Sequence, residues 1–272
     1  MIDHYAVVGN PVAHSKSPMI HGLFAEQNHQ AMHYGKIEAP LDRFQQTVQA
    51  FFSQAGNKGL NITVPFKEQA WAICDIKSER AELAGAVNTL LLDTKNQLVG
   101  DNTDGVGLVK DLLDNHHVAL KNKKILLVGA GGAVRGVLQP ILKEMPEKVL
   151  ICNRTPAKAD ALVSKFKHLG NIQSLPFAAL TEVFDVVING TSASLSGDLP
   201  AIGTQVIGRQ TVVYDMMYGP EETVFNQWAR QAGAAHTIDG LGMLVEQAAE
   251  AFFIWRGLRP ETGRVMSKLR SL

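Results

Sequence analysis

Two cysteines are all the chain has, Cys74 and Cys152, far apart and in no metal-ligand or redox spacing. A disulfide framework and a thiolate zinc site are therefore not expected, and reduced, packed thiols are. Charge of one sign is also missing: 26 lysines and arginines face 26 aspartates and glutamates, with no basic block. That removes the electrostatic footprint of a nucleic-acid partner. No apolar run is long enough for a membrane span, and the opening MIDHYAVVGNP carries an acid and a histidine where a secretory signal needs an apolar core. A cytoplasmic protein without membrane contact is the expectation. The nine histidines do not cluster with acids at ligand spacing, so no metal is expected. His116 and His117 read as the solvated end of a leucine-rich helix. No proline- or serine-rich linker, repeat or low-complexity tract interrupts the chain. What remains is small-molecule chemistry in 272 residues, enough for one large domain or two modest ones.

Short β-like runs alternate with helical ones, the pattern of an α/β protein. HYAVVG (4–9) reads as a strand, followed by a helix from about Pro18. HYGKIEA (33–39) reads as a second strand, with an amphipathic helix through Phe52 after it. LNITV (60–64) is a third, helical stretches follow, and VNTLLLD (87–93) pairs with QLVGD. From Asp104, apolar residues at 106, 109, 112 and 113 have helical spacing. A second series then runs KKILLVG, KVLICNR, DVVING and TVVYDMM, four apolar strands of a parallel sheet with crossover helices. The tail from Leu241 is helical. Motifs put a domain boundary near residue 103.

KKILLVGAGGAVRG joins a buried-strand run to a helix through a glycine turn. Gly129 and Gly131 suit a tight turn whose amides approach a pyrophosphate at a helix N-terminus. Val134 stands where a G-x-G-x-x-G motif has its third glycine, while Gly132 and Gly136 lie close by. Such a turn also occurs without a ligand. The next strand ends in Asn153, Arg154 and Thr155, with no carboxylate for a ribose diol. Arg154, Thr155 and Lys158 instead offer two cations and a hydroxyl suited to a 2′-phosphate, which favours NADP over NAD. Helix capping by Thr155-Pro156 is the plainer alternative.

In NPVAHSKSP, Ser17 before Pro18 is a natural N-cap, which leaves Ser15 without a capping duty. Two hydroxyls at a helix N-terminus suit a carboxylate. Asn61 and Thr63 alternate with Ile62 and Val64, so both emerge on one strand face, toward a polyhydroxylated ligand or toward solvent. Pro65 can open a helix and place Lys67 in its first turn, where the dipole disfavours an ammonium. Asp104 follows Thr103 at another helix start, where a carboxylate is favoured. Each alone reads as a solvated charge; if the two meet, Asp104 favours the ammonium that the helix end disfavours, and only the combination points to proton transfer.

Nine ordered segments, GNPVAHSKSP, LNITVPFK, AGAVNT, GDNTDG, LLVGAGGAVRG, CNRT, NGTSASLSGDLP, YDMMY and DGLGMLVEQAA, resemble the shikimate dehydrogenases over nearly the whole chain. The resemblance implies an NADP-dependent enzyme that reversibly reduces 3-dehydroshikimate to shikimate. It implies two α/β domains: a substrate domain of residues 1–103 plus 240–272, the C-terminal helix folding back onto it, and a Rossmann-type doubly wound NADP domain of residues 104–239. Lys67 and Asp104 are then the catalytic pair. Ser15, Ser17 and Tyr218 hold the substrate carboxylate, and Asn61, Thr63, Asn88, Asp104 and Gln247 address the ring hydroxyls. Gly129, Ala130, Gly131, Gly132 and Ala133, together with Asn153, Arg154, Thr155, Pro156, Ala157 and Lys158, line the NADP. Met216, Gly240 and Glu79 join them, and a monomer or homodimer is expected. Two other readings stay open: a quinate/shikimate dehydrogenase using NAD as well, and a catalytically silent NADP-binding sensor, which would lack the Lys67/Asp104 pair. The folate-type dehydrogenases share the two-domain plan, but the two-serine segment speaks for a small carboxylate.

Overall fold

A computed structural model describes residues 2–193 and 197–271, so the centre of NGTSASLSGDLP lies outside the described residues. The chain divides into two compact units, Met1–Gly107 with Val245–Leu272, and Leu108–Leu244.

The first unit is built on β1 (Asp3–Gly9), β2 (Met32–Glu38), β3 (Asn57–Ile62), β4 (Ile76–Lys77), β5 (Thr89–Leu92) and β6 (Leu98–Asp101). They form one mixed sheet in the order β2-β1-β3-β5-β6-β4. β1 pairs in parallel with β2 and β3, whereas β5 runs antiparallel to both β3 and β6. Helices α1 (Ser17–Gln27), α2 (Phe44–Phe52), α3 (Lys67–Ile73) and α4 (Glu79–Ala84) alternate with the strands, and α5 (Asp104–Lys110) follows β6. α2 shows why the sequence folds this way: Phe44, Val48 and Phe51 recur at helical spacing, and all three are buried. They pack with Ala6, Val8, Leu60, Ile62 and Phe66 in one core.

β3 ends at Ile62, two residues short of the expected strand LNITV. Thr63 therefore lies outside the strand, and its carbonyl accepts from the Phe66 N–H at 3.0 Å as the chain turns toward α3. The α5 helix continues as a wider turn over Asp111–Asn115, and His116 and His117 beyond it are exposed.

The second unit holds β7 (Lys124–Val128), β8 (Lys148–Cys152), β9 (Ile172–Ser174), β10 (Val186–Asn189), β11 (Val212–Asp215) and β12 (His236–Asp239). All pair in parallel in the order β12-β11-β10-β7-β8-β9, the doubly wound arrangement of dinucleotide-binding sheets. Helices α6 (Gly132–Lys143), α7 (Pro156–Phe166) and α8 (Val224–Gln231) belong to this unit. Four of the six strands are the expected ones. β9 and β12 were not, because IQS and HTID are short and mostly polar, so their assignment comes from sheet pairing rather than from pattern.

Helix α9 (Leu241–Arg256) and α10 (Gly263–Arg270) complete the chain, and residues from Val245 onward return to the first unit. Gly59 permits this packing: a Cβ there would lie 2.4–2.9 Å from the Trp255 indole, which donates from Nε1 to the Leu90 carbonyl at 3.1 Å. Cys74 and Cys152 are both free and buried, and burial pushes each thiol up to about 12, so they are inert packing residues. No helix among the described residues is long and apolar enough to cross a membrane.

Candidate active site

Lys67 is the first residue of α3, behind Phe66, and Asp104 is the first residue of α5. The structure brings the two together: Lys67 Nζ donates to Asp104 Oδ2 at 2.6 Å. The lysine side chain is 32% exposed and the aspartate 13%, so the pair is open on the lysine side. The other carboxylate oxygen, Oδ1, accepts from Asn88 Nδ2 at 2.8 Å. The Asp104 N–H donates to Asn102 Oδ1 at 3.1 Å, so an asparagine side chain two residues back takes up a backbone donor at the helix entry.

Asn88, buried just before β5, is the hub of this cluster. Its Oδ1 accepts from the Thr103 N–H at 2.9 Å and from the Thr89 hydroxyl at 2.9 Å. Its Nδ2 also faces Thr103 Oγ1 at 2.9 Å and Gln247 Oε1 at 3.3 Å. Gln247, on α9, is thus the polar member of an otherwise apolar stripe and points at the Asn88–Thr103 pair.

An ion-pair network holds α9 in place. Arg80 engages Asp101 through Nε and Nη2 at 2.7 and 2.8 Å and reaches Glu250 at 3.3 Å, while Arg259 meets Glu250 at 2.8 Å. Glu250 lies one turn beyond Gln247, and Asp101 immediately precedes the Asn102-Thr103-Asp104 turn. The network therefore couples the helix that presents Gln247 to the strand end that presents Asp104.

Ser15 and Ser17 meet at the start of α1, with the Ser15 hydroxyl donating to Ser17 Oγ at 3.1 Å. Their expected roles are exchanged. The helix N-cap is Lys16 and Ser17 stands inside the helix, while Ser15 Oγ accepts from the Ser17 N–H at 3.3 Å. Ser15 thus does the local capping work, and Ser17 is buried beside Tyr34. Tyr34 donates to Asn61 Oδ1 at 2.6 Å, and the Asn61 Nδ2 donates to the Asn88 carbonyl at 3.1 Å and to Thr89 Oγ1 at 3.2 Å. Both N–H groups of Asn61 are therefore engaged within the protein. Thr63 is half-buried, its methyl close over Gly9. His21 stacks on Tyr34 at 4.3 Å and 6° between planes, and complete burial holds its pKa down at about 3, against a smaller raising contact with Asn61.

Tyr34, Thr89 and Thr103 escaped the sequence reading. Each is one hydroxyl in a run that looks apolar or turn-like. Thr103 alone carried a signal, its place inside GDNTDG beside Asp104.

In the second unit, the glycine turn follows the central strand β7. Gly129 has φ +112° and its N–H donates to the Cys152 carbonyl at 2.7 Å, a backbone state that a side chain would strain. Gly131 caps α6, and neither Gly131 nor Gly132 has a protein atom within 4 Å of where a Cβ would stand. Packing inside the protein does not explain these two glycines, whereas the approach of an outside phosphate to a helix N-terminus does. Val134, in place of the third glycine, is fully buried, with a methyl 3.4 Å from the Cβ direction of Gly129. Ala130 and Ala133 flank the turn.

At the end of β8, Arg154, Thr155, Pro156, Ala157 and Lys158 are all exposed, and Asn153 donates to the Thr155 carbonyl at 2.9 Å. Thr155 is the N-cap of α7, yet its hydroxyl makes no capping bond, so capping does not account for it. Two cations and a hydroxyl at this turn, with no carboxylate, fit a ribose carrying a 2′-phosphate. Met216 is buried after β11, and a Cβ on Gly240 would stand 2.1 Å from its carbonyl oxygen. Tyr218 also belongs to this unit; burial, with a lesser contribution from the Asp239 charge, raises its phenol above the ordinary range. Glu79 is exposed at the start of α4 in the first unit.

Three family models match in chain order: the shikimate dehydrogenase substrate binding domain over residues 7–90, shikimate / quinate 5-dehydrogenase over 111–196, and the shikimate 5'-dehydrogenase C-terminal domain over 240–270. The shikimate dehydrogenase (NADP(+)) of Marinobacter nauticus is 60% identical, covering 99% of this chain and 98% of the relative. Among solved structures, an Ael1 enzyme from Pseudomonas putida superposes with a TM-score of 0.94 at 46% identity, over 98% of both chains. Shikimate 5-dehydrogenase from Thermus thermophilus, in complex with NADP(H) and shikimate, gives 0.86 at 31% identity over 99% of both.

Proposed function

The chain belongs to the shikimate dehydrogenase family, and from this premise we infer that it catalyses the reversible NADPH-dependent reduction of 3-dehydroshikimate to shikimate, a step toward the aromatic amino acids. The observation that carries the reading is the Lys67–Asp104 contact at 2.6 Å, two charged groups set at two helix starts in one unit.

In the reducing direction, Lys67 Nζ donates a proton to the forming alkoxide, and Asp104 orients the ammonium while Asn88 holds its far oxygen. General acid assistance of this kind is worth roughly 10²–10⁴-fold. NADPH, when bound, supplies the hydride, and the protein's part is alignment and one proton. Ser15 and Ser17 hold the substrate carboxylate together with Tyr218. Asn61, Thr63, Asn88, Asp104 and Gln247 address the ring hydroxyls. The turn from Gly129 through Ala133 receives the pyrophosphate, and Arg154, Thr155 and Lys158 receive the 2′-phosphate, with Asn153, Pro156 and Ala157 shaping that turn. Met216, Gly240 and Glu79 complete the cofactor contacts. Residues 1–103 with 240–272 form the substrate domain and 104–239 the NADP domain. The enzyme works in the cytoplasm as a monomer or homodimer, with no nucleic-acid or membrane partner.

The test is nicotinamide absorbance with shikimate or quinate, each against NADP and NAD. Turnover is expected with shikimate and NADP above the other three combinations. Inactivity in all four sinks the reading.

A further inference from the structure

We propose that Thr89 is a positioning residue for this reaction: its buried hydroxyl fixes the Asn88 amide that holds Asp104 toward Lys67. The proposal rests on the functional reading above and adds a residue which that reading leaves out.

Donor and acceptor chemistry fixes the direction of every hydrogen bond around Thr89. The Thr103 backbone N–H can only donate, so the Asn88 atom 2.9 Å from it is the amide oxygen. The Asn88 NH₂ then faces the Asp104 carboxylate, 2.8 Å away, which as an anion can only accept. Thr89 Oγ1 lies 2.9 Å from that same amide oxygen and must donate to it. Its one hydrogen is thereby committed, so it must accept from Asn61 Nδ2 at 3.2 Å. The other Asn61 N–H meets the Asn88 carbonyl at 3.1 Å, which again can only accept, and this turns the Asn61 oxygen toward the Tyr34 phenol at 2.6 Å. The chain is therefore directional from Tyr34 through Asn61, Thr89 and Asn88 to Asp104, with no member free to reverse alone.

Thr89 sits at the middle of this chain. It is fully buried, and it is paired with Asn61 across the β3–β5 ladder and with Asp101 across β5–β6. Removing its hydroxyl leaves Asn61 with an unsatisfied buried donor, and leaves the Asn88 oxygen with two donors, both from Thr103, instead of three. The Asn88 amide is then held from its oxygen side by Thr103 alone, and the Asn88 contact on Asp104 is less tightly aligned. Because only the hydroxyl matters here, shape and hydrogen bonding can be separated by substitution. Thr89→Val keeps shape and strand preference without the hydroxyl; Thr89→Ser keeps the hydroxyl without the methyl.

Steady-state kinetics of the full chain with shikimate and NADP, alongside thermal melts, test the assignment. Thr89→Val is expected to lower kcat roughly 10- to 100-fold, the scale of a small misplacement at a reacting group, with the KM for NADP within about twofold of wild type. Thr89→Ser is expected to keep kcat within about threefold, even with a lower melting temperature. A wild-type kcat in Thr89→Val, or equal losses in the two variants, overturns the proposal. If Thr89→Val does not fold, Thr89→Ala against Thr89→Ser carries the same contrast, and equal kcat values overturn it. Wild-type protein without turnover would instead bring down the family reading on which the proposal stands.

Discussion

The two units solve different recognition problems with different parts of the chain. In the first, buried side chains do the work: Asn61, Asn88, Thr89 and Thr103 are all buried, and each is hydrogen-bonded to another polar side chain. In the second, the sheet is apolar except at two strand ends, where buried Asn189 donates to Asp215 at 3.0 Å, and the features proposed to meet the cofactor are a glycine turn and exposed cations. A buried polar network is costly unless complete, so it specifies one geometry tightly. A backbone turn tolerates change around it and fails where φ or close approach is violated. The contrast suits a unit that must hold a proton donor within ångströms, as against one that grips a long, charged cofactor.

Four measurements sharpen or break that contrast. Lys67→Ala is expected to lower kcat by about 10²–10⁴-fold with little change in the NADP KM. Intact turnover with only a raised substrate KM would make Lys67 a binding residue. Next in size, Arg80→Ala leaves Asp101 and Glu250 without their shared cation at side-chain exposures of 15% and 9%. A loss of about 3–5 kcal/mol in urea unfolding is expected, as for other broken buried pairs. A loss under about 1 kcal/mol would mean that the network decorates the unit rather than holds it.

Arg154→Ala probes the second unit. Losing one charge-assisted contact to a 2′-phosphate, worth about 1.5–3 kcal/mol, is expected to raise the NADP KM some ten- to hundredfold, and the NAD KM hardly at all. An equal effect on both cofactors would remove Arg154 from 2′-phosphate recognition. The smallest effect concerns acid. His21 is held at about 3, below its unfolded value near 6.5, so the unfolded chain binds the extra proton first as pH falls. Its contribution is fully present above pH 6.5 and is lost downward through pH 3, about 2 kcal/mol by pH 5. His21→Asn is expected to flatten that slope in denaturation at pH 7 and 5. The described histidines of the second unit, at 116, 117, 168 and 236, are by contrast all exposed. An unchanged slope would refute the assignment to His21.

Much of the site was legible because the features that carry it are local. Pro65 before Lys67 and Thr103 before Asp104 mark helix starts, and α3 and α5 begin at those residues. The glycine turn after an apolar strand, and the absence of an acid at the end of β8, needed only pattern and spacing. Ser15 and Ser17 were legible as a pair but not in their roles, because which hydroxyl caps depends on where the loop lets the first helical turn begin. Thr63 was read on the strand because alternation continues past Ile62; the turn into α3 ends the ladder sooner. Thr89 and Tyr34 gave no signal, since a hydroxyl on a strand looks the same whether its partner is water or an asparagine 27 or 28 residues away.

The sequence by itself determined the α/β alternation, the helix starts at Lys67 and Asp104 and the glycine turn after an apolar strand, because each follows from periodicity, capping or φ restriction among near neighbours. Only the tertiary structure decided that Lys67 meets Asp104, that Gln247 faces Asn88, and that hydroxyls of β2 and β5 align the amides between them. Those depend on strand order and register, which bring together residues from 27 to 159 positions apart, and no local rule reaches across such distances.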